Sequence, residues 1–155
     1  MGSILIALAL AAAPQSSDKL PPANPLPPPT SEEGQVLVPI NGVFAAFGTG
    51  DAGGMWRLVF PGGRFTAAGG KGIRRMSFNE FAARVKPDAP FQERITDPAI
   101  DIDGNIAMVW APFTVRVGGK VESCGIDHFD LIRDNGQWKI MNISFSSRTT
   151  GCPAQ

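Results

Sequence analysis

The residues with the clearest chemical potential lie together in the stretch CGIDHFDLIR, residues 124–133. It contains Asp127, the only histidine of the chain, His128, and one of the two cysteines, Cys124. An adjacent aspartate and histidine suggest an acid–base dyad. However, apolar and polar residues alternate along this stretch, which predicts a β-strand, and neighbouring side chains on a strand point to opposite faces. Asp127 and His128 are therefore not expected to face the same cavity.

Asp127 shares its predicted strand face with apolar residues, including Phe129 and Leu131, and we assign that face to the interior. A carboxylate in apolar surroundings has its charged form destabilised and its pKa raised, as a general base for proton abstraction requires. The alternative is structural: Asp127 pairs with Arg148 or accepts backbone N–H donors near the end of the sheet. A raised pKa would favour the catalytic interpretation, and a depressed one the structural interpretation.

His128 falls on the other face, beside Asp130, and a catalytic or ligand role for it would require the face assignment to be inverted. Trp110 is a candidate stacking wall for a planar ligand, or else part of the core. Phe129 is expected on the interior face as a ligand contact. Asn142 either donates hydrogen bonds in a pocket or is solvated.

Several classes of function are disfavoured by composition. The chain has 14 basic and 14 acidic residues, with the basic ones scattered, so nucleic acid is an improbable partner. One histidine and no close pair of cysteines disfavour a metal site. No nucleotide-binding loop, serine elbow or zinc motif is present, so we expect no cofactor.

The N-terminal fifth of the chain, residues 1–33, predicts export. Residues 1–13, MGSILIALALAAA, resemble the apolar region of a signal peptide but lack a preceding basic residue, and they are too short to span a bilayer. Residues 14–33 hold seven of the fourteen prolines and predict an extended linker. A periplasmic or secreted location favours a disulfide between Cys124 and Cys152.

The elements that position these groups change type along the domain, residues 34–152. The region up to residue 85 predicts three helices with a brief strand at Arg64–Ala67. The first has an apolar face over residues 36–47 and either begins or kinks at Pro39, and the second is short and capped by Asp51. A capping box at Ser77 and Glu80 begins the third, which Pro87 stops. From Phe91 to residue 147 the pattern has period two and is divided by three Gly-containing turns, which predicts four long antiparallel strands. The expected fold is α+β, with helices covering a strongly curved antiparallel sheet as a cone-shaped half-barrel.

Four segments together resemble the nuclear transport factor 2-like superfamily, in its SnoaL-like and lumazine-binding branch of exported bacterial proteins. They are VFAAFGTGDAGGM, GRFT, AMVWAPFTVRVGGK and CGIDHFDLIRDNGQWKI. The resemblance implies a pocket inside the cone, frequent dimers through the outer sheet face, and varied functions. Relatives that isomerise or cyclise ketones use a pocket aspartate, which Asp127 matches in position.

Three functions follow as hypotheses, since a shared fold does not settle function. The first is an exported protein that binds a small apolar or aromatic molecule in the cone. The second is an isomerase, cyclase or dehydratase with Asp127 as general base. The third is a structural module that forms a homodimer through the outer sheet face.

Overall fold

The computed structural model describes residues 26–83 and 91–153. The signal-like segment 1–13 and the linker as far as residue 25 lie outside the described residues, as does Pro87, which was expected to stop the third helix. The described chain forms three helices: α1 (Glu32–Thr49), α2 (Ala52–Trp56) and α3 (Phe78–Ala82). It forms seven strands: β1 (Val59–Gly69), β2 (Gly72–Ser77), β3 (Phe91–Ile95), β4 (Ala99–Asp103), β5 (Ile106–Val117), β6 (Lys120–Asp134) and β7 (Gln137–Ser147).

Helix α1 is the only long helix among the described residues. Ser31 caps its N-terminus, where the Ser31 hydroxyl accepts from the Gly34 N–H at 3.0 Å. Pro39 lies inside the helix, so α1 begins before this proline rather than at it. Gly50 ends α1 with a φ of 69°, a left-handed conformation that glycine adopts without strain. The predicted apolar face is buried, and Ile40 and Val43 are fully enclosed.

The two short helices begin as their sequence signals predict. Asp51 caps α2 by accepting from the Gly54 N–H at 2.7 Å. At α3 the capping box is complete: the Glu80 N–H donates to the Ser77 hydroxyl at 3.2 Å, and the Ser77 N–H donates to Glu80 Oε2 at 2.7 Å.

The strands form one curled, unclosed sheet in the order β2-β1-β7-β6-β5-β3, with β4 also paired to β5. All strand pairs are antiparallel except β1 and β7, which run parallel. The sheet is therefore mixed: the strands of residues 91–147 pair antiparallel as predicted, and the parallel pair is formed where β1 joins β7. The first of the four predicted long strands is divided into β3 and β4 around Asp97, whose φ is 43°.

The helices and the inner face of the sheet enclose the core. Helix α1 packs against β3 and β7, and the rings of Phe44 and Phe129 meet edge to face at 6.0 Å. On β6 the buried residues alternate with half-buried ones from Asp127 to Leu131, so its odd positions face inward. The predicted α+β cone is confirmed.

Gly125 is needed where β6 passes close to the backbone of β7. A Cβ placed on Gly125 would lie 2.0 Å from the Ser146 carbonyl oxygen and 2.9 Å from the Phe113 ring. We expect Gly125→Ala to lower the free energy of unfolding by about 1–3 kcal/mol or more, because the backbone must shift to admit the methyl group.

Equilibrium denaturant unfolding measures this loss. Gly70→Ala is the matched control, since its added methyl group would meet open space and its backbone is not left-handed. Equal stability of the two variants would show that β6 and β7 are not as close as described.

Candidate functional site

A cavity of about 470 Å³ opens between the helices and the inner face of the curled sheet. Seven phenylalanines line it, together with five other apolar residues from β1, β2, β5 and β7. The phenylalanines are Phe44, Phe47, Phe65, Phe81, Phe91, Phe113 and Phe145. The cavity lining is thus predominantly apolar and rich in phenylalanine.

The aromatic wall is held in place by contacts between its own rings. Phe81 stacks on Phe65 at 4.0 Å between centroids and meets Phe47 edge to face at 4.7 Å. Phe145 bridges the other side, at 5.0 Å from Phe65 and 6.0 Å from Phe113. Because each ring is fixed by its neighbours, the cavity is shaped before any ligand enters.

Asp127 points into this cavity from the inner face of β6. It is 2% exposed, and it is the only charged residue that is buried among the described residues. Its Oδ2 atom has no hydrogen-bond partner. Burial raises the pKa of Asp127 to about 8, because the charged form loses its hydration.

The structural alternative for Asp127 does not match its surroundings. Arg148 lies at the end of the sheet and exchanges backbone hydrogen bonds with Cys124, at 3.0 Å and 2.9 Å. No ion pair joins Arg148 to Asp127 in the described part of the chain. The pKa of Asp127 is raised, whereas an ion pair with an arginine would lower the pKa of a carboxyl group.

A second acid, Glu93 on β3, lines the same cavity and was missed by the sequence analysis. Glu93 is half-buried at the cavity wall. Loss of hydration inside the cavity is the larger cause that raises the pKa of Glu93 well above its usual range, and the negative charge of Asp127 is the second. The sequence did contain a signal for it. In the strand FQERI, Glu93 shares its face with Phe91 and Ile95, just as Asp127 shares its face with Phe129.

The remaining polar lining lies toward the open side. Arg74 on the edge strand β2 is exposed, and so is Glu122 on β6. Glu122 falls at the register shift between β5 and β6, where Ser123 pairs with Val115 but Val121 pairs with Arg116. Adjacent residues on a regular strand point to opposite faces, but this bulge interrupts the alternation. Glu122 and Ser123 can therefore both line the cavity.

His128 and Trp110 lie on the outer face of the sheet and do not line the cavity. They are cross-strand partners on β6 and β5, with ring centroids 5.9 Å apart. His128 Nδ1 lies 3.4 Å from the Ser144 hydroxyl, and its Nε2 lies 3.7 Å from Asp130 Oδ1. Trp110 is 43% exposed, so it is neither the expected cavity wall nor core.

The other two predicted ligand contacts also lie away from the cavity lining. Asn142 sits on the outer face, where its amide donates to Asp130 at 3.2 Å and its carbonyl accepts from the Arg64 N–H at 3.2 Å. Phe129 does face inward, but it is fully buried against Phe44 and belongs to the core.

The predicted disulfide is present between Cys124 and Cys152, with the two Cα atoms 5.6 Å apart. It joins the segment that follows β7 to β6. Within residues 26–83 and 91–153, no cluster of three or more His, Cys, Asp or Glu side chains is arranged to bind a metal ion. No helix in these same ranges has the length and apolarity to cross a membrane.

Solved structures share this fold at low sequence identity. A "putative calcium/calmodulin dependent protein kinase II association domain" from Xanthomonas campestris is 18% identical with a TM-score of 0.66, covering 83% of this chain and 95% of its own. A protein of unknown function with a cystatin-like fold from Nostoc punctiforme is 10% identical with a TM-score of 0.63, over 76% and 92% of the two chains. A "putative dehydratase" of the nuclear transport factor 2-like family from Streptomyces avermitilis is 16% identical with a TM-score of 0.61, over 74% and 94%.

These likenesses show the fold alone, and no curated protein matches the sequence. The sequence itself matches one family, described as "Putative lumazine-binding", over residues 31–146. That match covers α1 and nearly all of the sheet. The chain therefore belongs to the family described as "Putative lumazine-binding", and it shares its fold with proteins of the nuclear transport factor 2-like family.

Proposed function

We propose that this protein is exported and binds a small, largely apolar or aromatic molecule in the phenylalanine-lined cavity. The observation that supports this most directly is the buried, unpartnered Oδ2 of Asp127 inside that cavity. The aromatic wall accommodates the body of the ligand, and Asp127 and Glu93 hydrogen-bond its polar group.

An unpartnered buried polar group costs about 1–3 kcal/mol, so it is unfavourable unless something else satisfies it. A ligand with a hydrogen-bonding group removes that penalty on binding. The family description names lumazine, a planar heteroaromatic compound, and this class of molecule fits an aromatic cavity of about 470 Å³.

Binding in the cavity can be tested with N-phenyl-1-naphthylamine, a neutral aromatic probe that fluoresces in apolar surroundings, and by competition with lumazine, ketones and epoxides. Ala67 lines the cavity from β1, whereas its neighbour Ala68 is exposed on the other face. We expect Ala67→Leu to weaken probe binding by about tenfold, because the larger side chain occupies cavity volume.

Ala68→Leu is the matched control, since it makes the same change on the adjacent residue. Its probe affinity should equal that of the unmodified protein. Absence of probe binding, or equal weakening by both substitutions, would contradict a ligand site in the cavity.

A second candidate function is proton transfer by Asp127, as in an isomerase, cyclase or dehydratase. The pKa of about 8 favours it, because such a carboxyl exchanges its proton near neutral pH. His128 lies on the opposite face of β6 and is not placed to act with Asp127 on a ligand in the cavity. Product formed from a bound ketone or epoxide, and lost in Asp127→Asn, would support this function.

Export and self-association remain parts of the proposal. The disulfide is of the kind that persists in oxidising compartments. On the outer face, Met108 and Trp110 are 39% and 43% exposed. These apolar side chains support this face as the surface of the proposed homodimer, which is also the structural role of the third hypothesis.

A further inference from the structure

The polar groups of the cavity are unequally divided between acids and bases. Among the described residues, three carboxyl side chains line it, from Asp127, Glu93 and Glu122, against a single guanidinium, from Arg74. Arg74 lies on the exposed edge strand β2, while Asp127 is buried. Within residues 26–83 and 91–153, the only other polar side chains in the lining are the hydroxyls of Ser123 and Ser147.

The phenylalanine rings of the cavity favour positively charged ligands, as the carboxyl groups do. The face of a phenyl ring is negative and attracts cations within about 6 Å. All aromatic residues that the described part of the chain contributes to the lining are phenylalanines, so it offers no phenol or indole group to donate a hydrogen bond to an anion. Helices α1 and α3 contribute only phenylalanines to the lining, so neither supplies a charge that would offset the acids.

We propose that the cavity selects molecules that bear one positive charge on a small aromatic or apolar body, such as a protonated amine or a quaternary ammonium. The charge is neutralised by the carboxylates of Asp127 and Glu93, and the body packs on the phenylalanine rings. This inference rests on the proposed function, since it names the chemical class of the ligand for the same cavity.

Cation binding in this cavity is coupled to proton release. In the empty cavity Asp127 retains its proton up to about pH 8, so a cation binds fully only after that proton has left. The charged groups among the described residues that share the cavity lining with Asp127 are Glu93 from β3, Arg74 from β2 and Glu122 from the same strand, β6. The apparent affinity for a cation is the intrinsic affinity multiplied by the ionised fraction, which increases about tenfold per pH unit below the pKa.

The test compares three ligands with the same phenyl body and different charge: benzylamine, benzyl alcohol and benzoate. Calorimetric titration near pH 8 should show benzylamine binding at least about tenfold more tightly than the other two. Its affinity should fall as the pH is lowered toward 6, although the amine remains protonated throughout. When the titration is repeated in buffers of different ionisation enthalpy, the observed heat of binding should change with the buffer, because the released proton is taken up by the buffer.

Two substitutions and one control connect the effect to the two acids. Asp127→Asn and Glu93→Gln should each remove most of the preference for benzylamine while the cavity still binds N-phenyl-1-naphthylamine. Asp101→Asn is the control, because Asp101 is exposed on β4 and does not line the cavity. It should leave the preference unchanged.

The outcomes separate this inference from the proposed function. If N-phenyl-1-naphthylamine binds in the cavity but benzylamine binds no better than benzyl alcohol or benzoate, the charge selection is wrong and the proposed function stands. Loss of the preference in Asp101→Asn as well would also overturn the assignment to Asp127 and Glu93. If neither the neutral probe nor any of the three ligands binds, the proposed function fails with it.

Discussion

Asp127→Asn should stabilise the protein at alkaline pH and weaken the dependence of its stability on pH. In the folded protein Asp127 is 2% exposed and has a pKa of about 8, whereas an unfolded carboxyl has a pKa of about 3.9. Ionising the folded side chain therefore opposes folding. Asparagine has nearly the same shape and does not ionise.

The direction follows from proton binding in the two states. Between about pH 4 and pH 8 the folded state holds one more proton than the unfolded state, so the free energy of unfolding falls by about 1.4 kcal/mol per pH unit. From about pH 4 to about pH 8 the total loss is on the order of 5 kcal/mol. The protonated side chain of Asp127 contributes its full stabilisation below the pKa of the unfolded state, about 3.9. This stabilisation is lost as the pH rises through the pKa of the folded state, about 8. Glu93, whose pKa is also raised, acts in the same direction.

Urea unfolding of the unmodified protein and Asp127→Asn at about pH 5, 7 and 8.5 measures the effect. The two proteins should differ least at the lowest pH and most at the highest. Asp101→Asn, which alters an exposed acid on β4, should follow the unmodified protein at every pH. A stability that rises with pH, or one that Asp127→Asn leaves unaltered, would show that this carboxyl is hydrated or paired.

Removal of the disulfide is the second large effect. The bond joins cysteines that are 28 residues apart in sequence, and a loop of this length corresponds to about 3–4 kcal/mol in the chain-entropy estimate. Cys124 is 1% exposed on β6, so replacing Cys152 leaves the better-packed partner in place. We expect Cys152→Ala to lower the free energy of unfolding by roughly that amount.

Reductant provides the control for this prediction. Reducing the unmodified protein should lower its stability to that of Cys152→Ala, and adding reductant to Cys152→Ala should change nothing. A thiol assay on the denatured, unreduced protein should detect no free cysteine. Two free thiols per chain would show that the bond does not form in the purified protein.

Local patterns in the sequence were sufficient to predict several elements. The capping residues Ser77 and Asp51, the Gly-containing turns and the alternation on β6 all act over a few neighbouring residues, and each appears in the structure as predicted. The opposite orientation of Asp127 and His128 belongs to this class, because it follows from the geometry of one strand. The disulfide was predictable because the chain has only two cysteines.

Other features depended on how distant segments pair. Within one strand the sequence shows which residues share a face, but the register with the neighbouring strand decides which face is interior. Pairing of Trp110 with His128 placed the tryptophan outside, and pairing of Asp130 with Asn142 placed that amide on the same outer face. The parallel pairing of β1 with β7 joins residues far apart in sequence, and no local pattern indicates it.

The cavity depends both on local sequence patterns and on the pairing of distant strands. The composition of two separate strands determined that Asp127 and Glu93 would each be an acid on an apolar face. Only the curling of the sheet brought these faces around one space, close enough for the charge of one acid to raise the pKa of the other. The physical reason is that side-chain alternation is fixed by the backbone of a single strand, whereas the meeting of two strands across a cavity depends on twist, register and the helices that pack against them.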